Sequence, residues 1–406
     1  MLHIAVVTTD PAIPKNRASF IRELRTAGHK IDIVLVGKAA SDETRRTLAS
    51  GRFPGDYRPD LLLLFCVAYI RIHLLPWLKP ILQGYPYVTL WDSNPLRSLH
   101  FLNQFRDNHL GLYVLDTQIV HDLRELGFHQ SSYLPYYYAD PEVFRPRPVR
   151  SDYHHDVALA GTYFFPSMQD RLFSGQDRIH WGHALTEIAA EFQQTRAATG
   201  GYVDVYRFLR GRIDCGSKEG VELSQHLMYV QKWMEREALF STLSCAGLDC
   251  HVYGGNKATA QRPKGSQAML PGDSHLHVHD FIDKHSDLPA LYSSTTVNLC
   301  CTQFPRAAHE RVFQAAGCGA FLLHEWKEDV PALFEPGREI VLYRRVDELP
   351  ELIRFYVRHE SERRRIAERA RARFLKDHTP NRRAEEFGVL LQNCVARHRD
   401  VQTSMV

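Results

Sequence analysis

Apolar residues along the first 150 positions follow two alternating periods. Short runs at 4–9, 31–36, 60–66, 87–91 and 111–115 are continuous and apolar, with β-branched residues in most of them, the pattern of strands buried on both faces. Stretches of helical spacing lie between them. Over 16–27 the apolar residues Ala18, Phe20, Ile21 and Leu24 fall on one side of a helix that Gly28 can close. A second helix is predicted over 70–82, interrupted by Pro76, and a third over 118–126, ending at Gly127. The fourth strand runs into the turn Asp92-Ser93-Asn94-Pro95. Strand and helix alternating in this way predict a parallel sheet covered on both faces.

The pattern breaks over 134–150. This stretch holds four prolines and the consecutive tyrosines 136, 137 and 138, and it reads as an interdomain linker. A second alternating block follows. Strands are predicted at 156–161, 250–253, near 278–282, 296–300, 320–324 and 340–343, and helices at 288–292, 309–316, 347–359, 361–377 and 381–397. A mostly helical insertion occupies about 169–244, and a polar loop 256–275. The expected organisation is therefore a domain at 1–148, a second at 149–380, and a terminal helix at 381–406 that packs back on the first. The fold class is α/β, with two Rossmann-like, doubly wound domains facing each other across a cleft. In such sheets ligands bind outside the carboxyl ends of the strands.

Composition narrows this only slightly. Of 406 residues, 44% are hydrophobic and 24% charged, as in ordinary globular proteins. Lys and Arg number 50 against 47 Asp and Glu, a net charge of +3, too balanced to argue for bulk nucleic-acid binding. No run approaches the ~18 apolar residues of a membrane span, and the N-terminus lacks the marks of a signal peptide. The eight cysteines include no Cys-x-x-Cys pair and read as reduced thiols of a cytoplasmic protein.

The C-terminal third carries a resemblance. Arg311-Val312-Phe313-Gln314, followed by Gly317-Cys318-Gly319, resembles the Arg-x-Phe-Glu-x-x-x-x-Gly segment of CgeB-like (spore-maturation type) glycosyltransferases, relatives of the GT-B group 1, family 4 enzymes. Leu333-Phe334-Glu335-Pro336-Gly337 is similar to that family's next block. Glu362-Arg363, Ile366-Ala367 and His378-Thr379-Pro380-Asn381-Arg382 are similar to its tail. Upstream, Asp92-Ser93-Asn94-Pro95, Leu134-Pro135 with Ala139–Phe144, and Ala160-Gly161 followed by Arg171 match in order. The resemblance implies a GT-B fold, a nucleoside-diphosphate sugar held by the second domain, and an acceptor held by the first. One position departs: the family's glutamate, which commonly accepts hydrogen bonds from the donor ribose, is Gln314 here. Gln314 can accept through its carbonyl oxygen but brings no charge, and Glu310 could replace it only with a shifted helix start.

A donor diphosphate needs cations or backbone N–H groups, and a helix N-terminus offers the latter. Arg306, His309 and Arg311 flank the start of the helix at 309–316, either facing phosphate oxygens or as ordinary surface charges. Gly161 and Gly254 follow strands, where glycine allows close approach to a ligand or simply a turn. Arg171 either reaches the phosphates or is solvated. Phe281 stands at a strand end where the resemblance implies base recognition, with core packing as the alternative. On the acceptor side, Asp92 and Asp10 follow strands and are the candidate bases, Asp92 having an Asx-turn as its competing role. His275, His277 and His279 alternate on one strand face, a spacing that can bind metal, but the chain has 22 histidines and no metal is expected. Cys300-Cys301 reads as core. Arginines at 363–365, 369, 371 and 373 make a basic helix, either solvated beside its glutamates or meeting an anionic membrane or an acidic acceptor.

The expected function is metal-independent glycosyl transfer, of a hexose or pentose, from a nucleoside-diphosphate sugar with UDP as the first choice and no other cofactor. The acceptor remains open among a glycan, a lipid-linked sugar, a protein, a small molecule and nucleic acid. The expected location is cytoplasmic, with peripheral contact at the inner membrane face as an option. Two alternatives stand beside it: a non-catalytic nucleotide- or glycan-binding protein of the same fold, which Gln314 favours, and a sugar-nucleotide epimerase or hydrolase.

Overall fold

The computed structural model describes residues 1–9, 17–36, 40–55, 57–65, 78–135, 139–161, 183–199, 202–254 and 275–404. The chain forms two compact units. Unit 1 comprises Met1–Tyr138, Cys215–Val221 and His378–Val406; unit 2 comprises Ala139–Asp214 and Glu222–Asp377.

Unit 1 is built on a parallel sheet of β1 (His3–Thr8), β2 (Lys30–Leu35), β3 (Leu61–Phe65), β4 (Tyr87–Trp91), β5 (His109–Val114) and β6 (Ser131–Tyr133), in the order β2-β1-β3-β4-β5-β6. Its interior strands are the continuous apolar runs: every residue of β3 and β4 is buried. Strand β6, Ser-Ser-Tyr, has no apolar run to announce it. Polar bonds hold it instead: the Ser131 hydroxyl donates to Phe128 O at 2.7 Å, and Arg124 donates to Ser131 O at 2.9 Å. The flanking helices are α1 (Ala18–Thr26), α2 (Asp42–Ala49), α3 (Lys79–Gly84) and α4 (Thr117–Glu125). Helix α2, absent from the sequence reading, starts at Ser41, whose Oγ accepts from Thr44 N at 3.1 Å. Residues 66–77, with most of the helix expected at 70–82, lie outside the described residues. The terminal helix Pro380–Ser404 packs on α1 and β5. Phe387 lies 5.6 Å from Phe20 and edge-on to Tyr113, whose hydroxyl is 3.1 Å from Cys394 Sγ.

Unit 2 has a second six-stranded parallel sheet, of β7 (Val157–Ala160), β8 (Cys250–Tyr253), β9 (Leu276–His279), β10 (Val297–Cys300), β11 (Leu322–Glu325) and β12 (Val341–Tyr343), in the order β12-β11-β10-β7-β8-β9. Its longer helices are α5 (His183–Thr199), α6 (Val205–Leu209), α7 (Lys218–Cys245, of which 222–245 belong to this unit), α8 (Asp287–Ser294), α9 (Glu310–Gly317), α10 (Leu349–Arg358) and α11 (Glu360–Asp377). Val157, Leu159, Val252, Leu299 and Leu323 bury one face of the sheet against Leu239 and Leu243 of α7 and Ile353 of α10. On the other face Ala158 and Tyr253 meet Ala290 and Leu291 of α8. These are two sheets of the Rossmann type, as the alternating pattern predicts.

Residues 139–150 are grouped with unit 2. The proline-rich segment is fastened to α8: Arg147 N and Arg150 N donate to Ser293 Oγ and Ser294 Oγ, both at 3.0 Å, and Arg150 pairs with Asp287 at 2.9 Å. Seven cysteines are free thiols, Cys300 and Cys301 being buried in the core; Cys66 lies outside the described residues. No helix among the described residues is long and apolar enough to cross a membrane. The basic helix α11 is largely self-neutralised, with Arg364–Glu360 at 2.5 Å, Arg373–Asp377 at 2.8 Å and Arg365 on Glu362, while Ile366, Ala370 and Phe374 are buried.

Helix α9 ends in a tight contact. A Cβ at Gly317 would sit 2.6 Å from Phe144 O and 3.0 Å from a ring carbon of Phe374. Backbone does not yield as a side-chain tip does, so Gly317→Ala is expected to cost about 2 kcal/mol by overpacking. A thermal melt should then fall by roughly 4–8 °C; an unchanged midpoint would show that the segment around Phe144 is free to shift.

Candidate functional site

The candidate site lies in unit 2, where β7, β8 and β10 reach their carboxyl ends. Gly161 follows β7 and donates from its N–H to Tyr253 O at 2.8 Å. The space a side chain would fill is taken by an arginine: a Cβ on Gly161 would lie 2.8 Å from Arg311 Nη2 and 3.1 Å from its Cζ. The structure thus brings together two residues singled out separately in the sequence. Gly254 follows β8 with φ of 150°, a backbone setting that favours glycine, and its N–H reaches His279 O at 3.4 Å. Because the obstructing atoms are the far end of a flexible side chain, Gly161→Ala should fold normally and displace the guanidinium. On the diphosphate-binding role that the sequence resemblance implies for Arg311, nucleoside-diphosphate affinity should then fall about tenfold, equivalent to one weakened charged hydrogen bond; calorimetric titration checks this, and full affinity would mean Arg311 does not hold the ligand.

Arg311 is the second residue of α9. His309 caps this helix, its Nδ1 accepting from Arg311 N at 3.4 Å, so the ring is neutral with its proton on Nε2. Burial drives His309 well below the usual imidazole range, and the positive charges of Arg311, Lys232 and Arg236 drive it further. Arg311, Lys232 and Arg236 thus gather positive charge around the start of α9, where the helix dipole has the same sign. The other predicted residues take different positions. Glu310 pairs with Lys284 at 3.2 Å. Arg306 is half-buried, and its carbonyl accepts from Asp329 N at 3.0 Å. Phe281 is 67% exposed, which removes the core-packing alternative. Gln314 is fully buried, and the Tyr292 hydroxyl donates to its Oε1 at 3.3 Å, so that carbonyl is already engaged.

Lys232 and Arg236, one turn apart on α7, were not anticipated from the sequence. Arg236 is 4% exposed, and its Nη1 has no hydrogen-bond partner among the described residues. Its neighbour Glu235 borders a cavity of about 580 Å³, which is also lined by Arg196, Tyr202, Glu325, Lys327 and Arg344. That volume suits a ligand of nucleoside size. Lys327 is buried, pairs with Glu325 at 3.0 Å and places its ammonium 4.4 Å from the Tyr202 ring centre. Burial, with the Glu325 charge behind it, pushes the Glu235 carboxyl up to about 8. The folded protein therefore keeps a proton that the unfolded chain sheds above its usual 4.5. Stability from this group is complete below that value and is lost as pH rises towards 8, at up to ~1.4 kcal/mol per unit. Glu235→Gln should flatten this slope in denaturant unfolding at pH 5, 6.5 and 8; an unaltered slope would assign it elsewhere.

In unit 1, Asp92 follows β4 and is gripped by Arg17, a guanidinium only 4% exposed that also lies over the Phe65 ring at 4.8 Å. Asn94 caps the next turn, its Oδ1 accepting from Leu96 N at 3.0 Å. Asp10 and Arg171 lie outside the described residues.

The fold is that of the GT-B glycosyltransferases. Residues 235–388, which include Glu235, Arg236 and the whole of α9, match the family model described as glycosyl transferase-like. Three solved structures are similar over nearly the whole chain. Anabaena HepE in complex with UDP-glucose is 10% identical, with TM-score 0.57, covering 97% of this chain and 100% of that one. Sucrose-phosphate synthase from Thermosynechococcus elongatus is 13% identical, with TM-score 0.57, covering 98% and 100%. A glycosyltransferase from Rickettsia africae is 9% identical, with TM-score 0.52, covering 97% and 98%. No curated protein matches the sequence.

Proposed function

We propose that this protein transfers a hexose or pentose from a nucleoside-diphosphate sugar, a UDP-sugar by first choice, to an acceptor hydroxyl. The observation that carries the reading is the Arg311 guanidinium laid across Gly161 at the start of α9, beside a His309 that burial first, and the neighbouring cations second, hold neutral. Such a place attracts a dianionic diphosphate. As the bond from the sugar's anomeric carbon to the diphosphate breaks, negative charge grows on the leaving oxygen, and Arg311, Lys232 and the helix N-terminus stabilise it. These side chains do here what a metal does in metal-dependent transferases. The cavity beside Glu235 and Lys327 is assigned to the part of the donor beyond the diphosphate. Asp92 is assigned as the base that takes the acceptor's proton. HepE, solved with UDP-glucose, supports the choice of uracil first, and the ordered motifs over 290–390 favour the CgeB-like subtype.

The test is a thermal melt against UDP, GDP, TDP, CDP and ADP. A ligand at a hundred times its dissociation constant adds about 2.7 kcal/mol, and UDP should raise the midpoint most. No shift with any of the five would overturn the donor assignment. Binding of UDP-sugars without turnover would favour the non-catalytic reading, for which the engaged carbonyl of Gln314 speaks. Release of UDP or an altered sugar without added acceptor would indicate a hydrolase or epimerase.

A further inference from the structure

A ladder of histidines climbs one face of the unit 2 sheet at its β9 edge and takes no part in the site above. Parallel pairing sets His251 opposite His277 and Tyr253 opposite His279, so these four side chains share a face. His155, just before β7, stacks on His251 with ring centres 3.5 Å apart and planes 9° from parallel. His251 Nδ1 and His279 Nε2 stand 2.9 Å apart. One ring nitrogen from each of His155, His251 and His279 lies within 4.8 Å of the other two. His155 Nε2 is also 2.7 Å from the Tyr253 hydroxyl. Lower on the ladder, Asp249 Oδ1 lies 3.0 Å from His275 Nδ1 and 3.3 Å from His277 Nε2. All five rings are half-buried.

Packing alone would be served by any flat ring and does not require nitrogens from three separate segments to converge. We propose that His155, His251 and His279 form a binding site for a divalent transition-metal ion, with zinc as the ion they suit. A tetrahedral zinc ion about 2.0–2.1 Å from each nitrogen sets the nitrogens about 3.3 Å apart. The observed nitrogens are near this spacing, and binding requires the stacked His155 and His251 rings to tilt out of parallel so that their in-plane lone pairs meet at one point. The triad offers imidazoles and no carboxylate, a donor set that suits zinc, copper or nickel and not magnesium or calcium. Three protein ligands leave a fourth position for water or for the Tyr253 hydroxyl. Asp249 and His277 support the triad from below: His277 stacks on His251 at 4.5 Å and is itself tied to the carboxylate.

Calorimetric titration of zinc chloride into metal-free protein tests this, with cobalt(II) absorption as the readout of coordination geometry. The expected result is one equivalent bound tighter than about 1 µM, with intense tetrahedral cobalt bands. His251→Gln and His279→Gln should each weaken binding at least a hundredfold, while His398→Gln on the terminal helix changes nothing. His279→Gln lies on the edge strand and keeps the test open should His251→Gln fail to fold. Binding weaker than about 10 µM, or unchanged in both variants, would overturn the site and show only scattered surface histidines. The UDP melt is run on the same variants: a retained shift with lost zinc binding separates the metal site from the donor site. Failure of the donor reading leaves the zinc result standing.

Discussion

Arg311→Ala is expected to weaken nucleoside-diphosphate binding by roughly 10²–10³-fold with the fold intact. A guanidinium holding two phosphate oxygens makes two charge-assisted hydrogen bonds, each worth about 1.5–3 kcal/mol. Losing both, with water filling the gap across from Gly161, accounts for about 3–4 kcal/mol of affinity. Turnover at saturating donor should fall as well, because the same cation faces the charge that grows on the leaving diphosphate. Arg311→Lys keeps the charge without the planar fork and should fall between the two. Calorimetry with UDP gives the affinity, and circular dichroism confirms the fold. An Arg311→Ala protein that binds UDP as tightly as the parent would remove the site assignment, since Gly161, His309 and α9 are arranged around this side chain.

The second large effect is expected in unit 1. Asp92→Asn should lower turnover by roughly 10²–10⁴-fold, the usual contribution of a positioned general base, and leave UDP binding as it was. Asparagine has the shape of aspartate, and its Oδ1 still accepts a hydrogen bond from Arg17, so the local geometry survives. The charge does not: the guanidinium of Arg17, 4% exposed, loses its anion. A lower melting temperature should therefore accompany the lost activity, because weakening the ion pair of a buried charge is destabilising. The two effects separate by comparison with Arg17→Met, which also breaks the pair but leaves the carboxylate. Its activity should exceed that of Asp92→Asn at a temperature where both are folded. Turnover within tenfold of the parent in Asp92→Asn would eliminate Asp92 as the base and favour a retaining course without one.

The inner strands were legible because a parallel strand buried on both faces must be a continuous apolar run, whereas the half-buried edge strand β9, Leu-His-Val-His, starts at Leu276, ahead of the 278–282 expected. The strand that escaped, β6, is held by serine and arginine hydrogen bonds and offers no such run. Within the site, Gly161 and Arg311 could each be singled out, but their contact joins segments far apart in sequence. Lys232, Glu235 and Arg236 could not, because charged residues on a long helix ordinarily read as solvated. Here α7 buries Leu227, Val230, Gln231, Arg236, Leu239 and Phe240 together, so no clean apolar stripe marks which charges turn inward. Gln314 shows the same limit: α9 is packed on more than one side, and Phe313 and Gln314 are both buried. For the histidine ladder the alternation at 275, 277 and 279 was visible, but the partners that close the triad come from β8 and from the approach to β7.

The way the chain is shared between the units also sets an order in time. Unit 2 is complete once residue 377 has been made, whereas unit 1 draws its last helix, Pro380–Ser404, from the end of the chain. During synthesis the unit begun first is therefore finished last. Until that helix emerges from the ribosome, Phe20 and Tyr113 lack the ring of Phe387 that packs against both. A nascent chain stalled before residue 380 should carry a folded second unit behind a first one still sensitive to protease and attractive to chaperones.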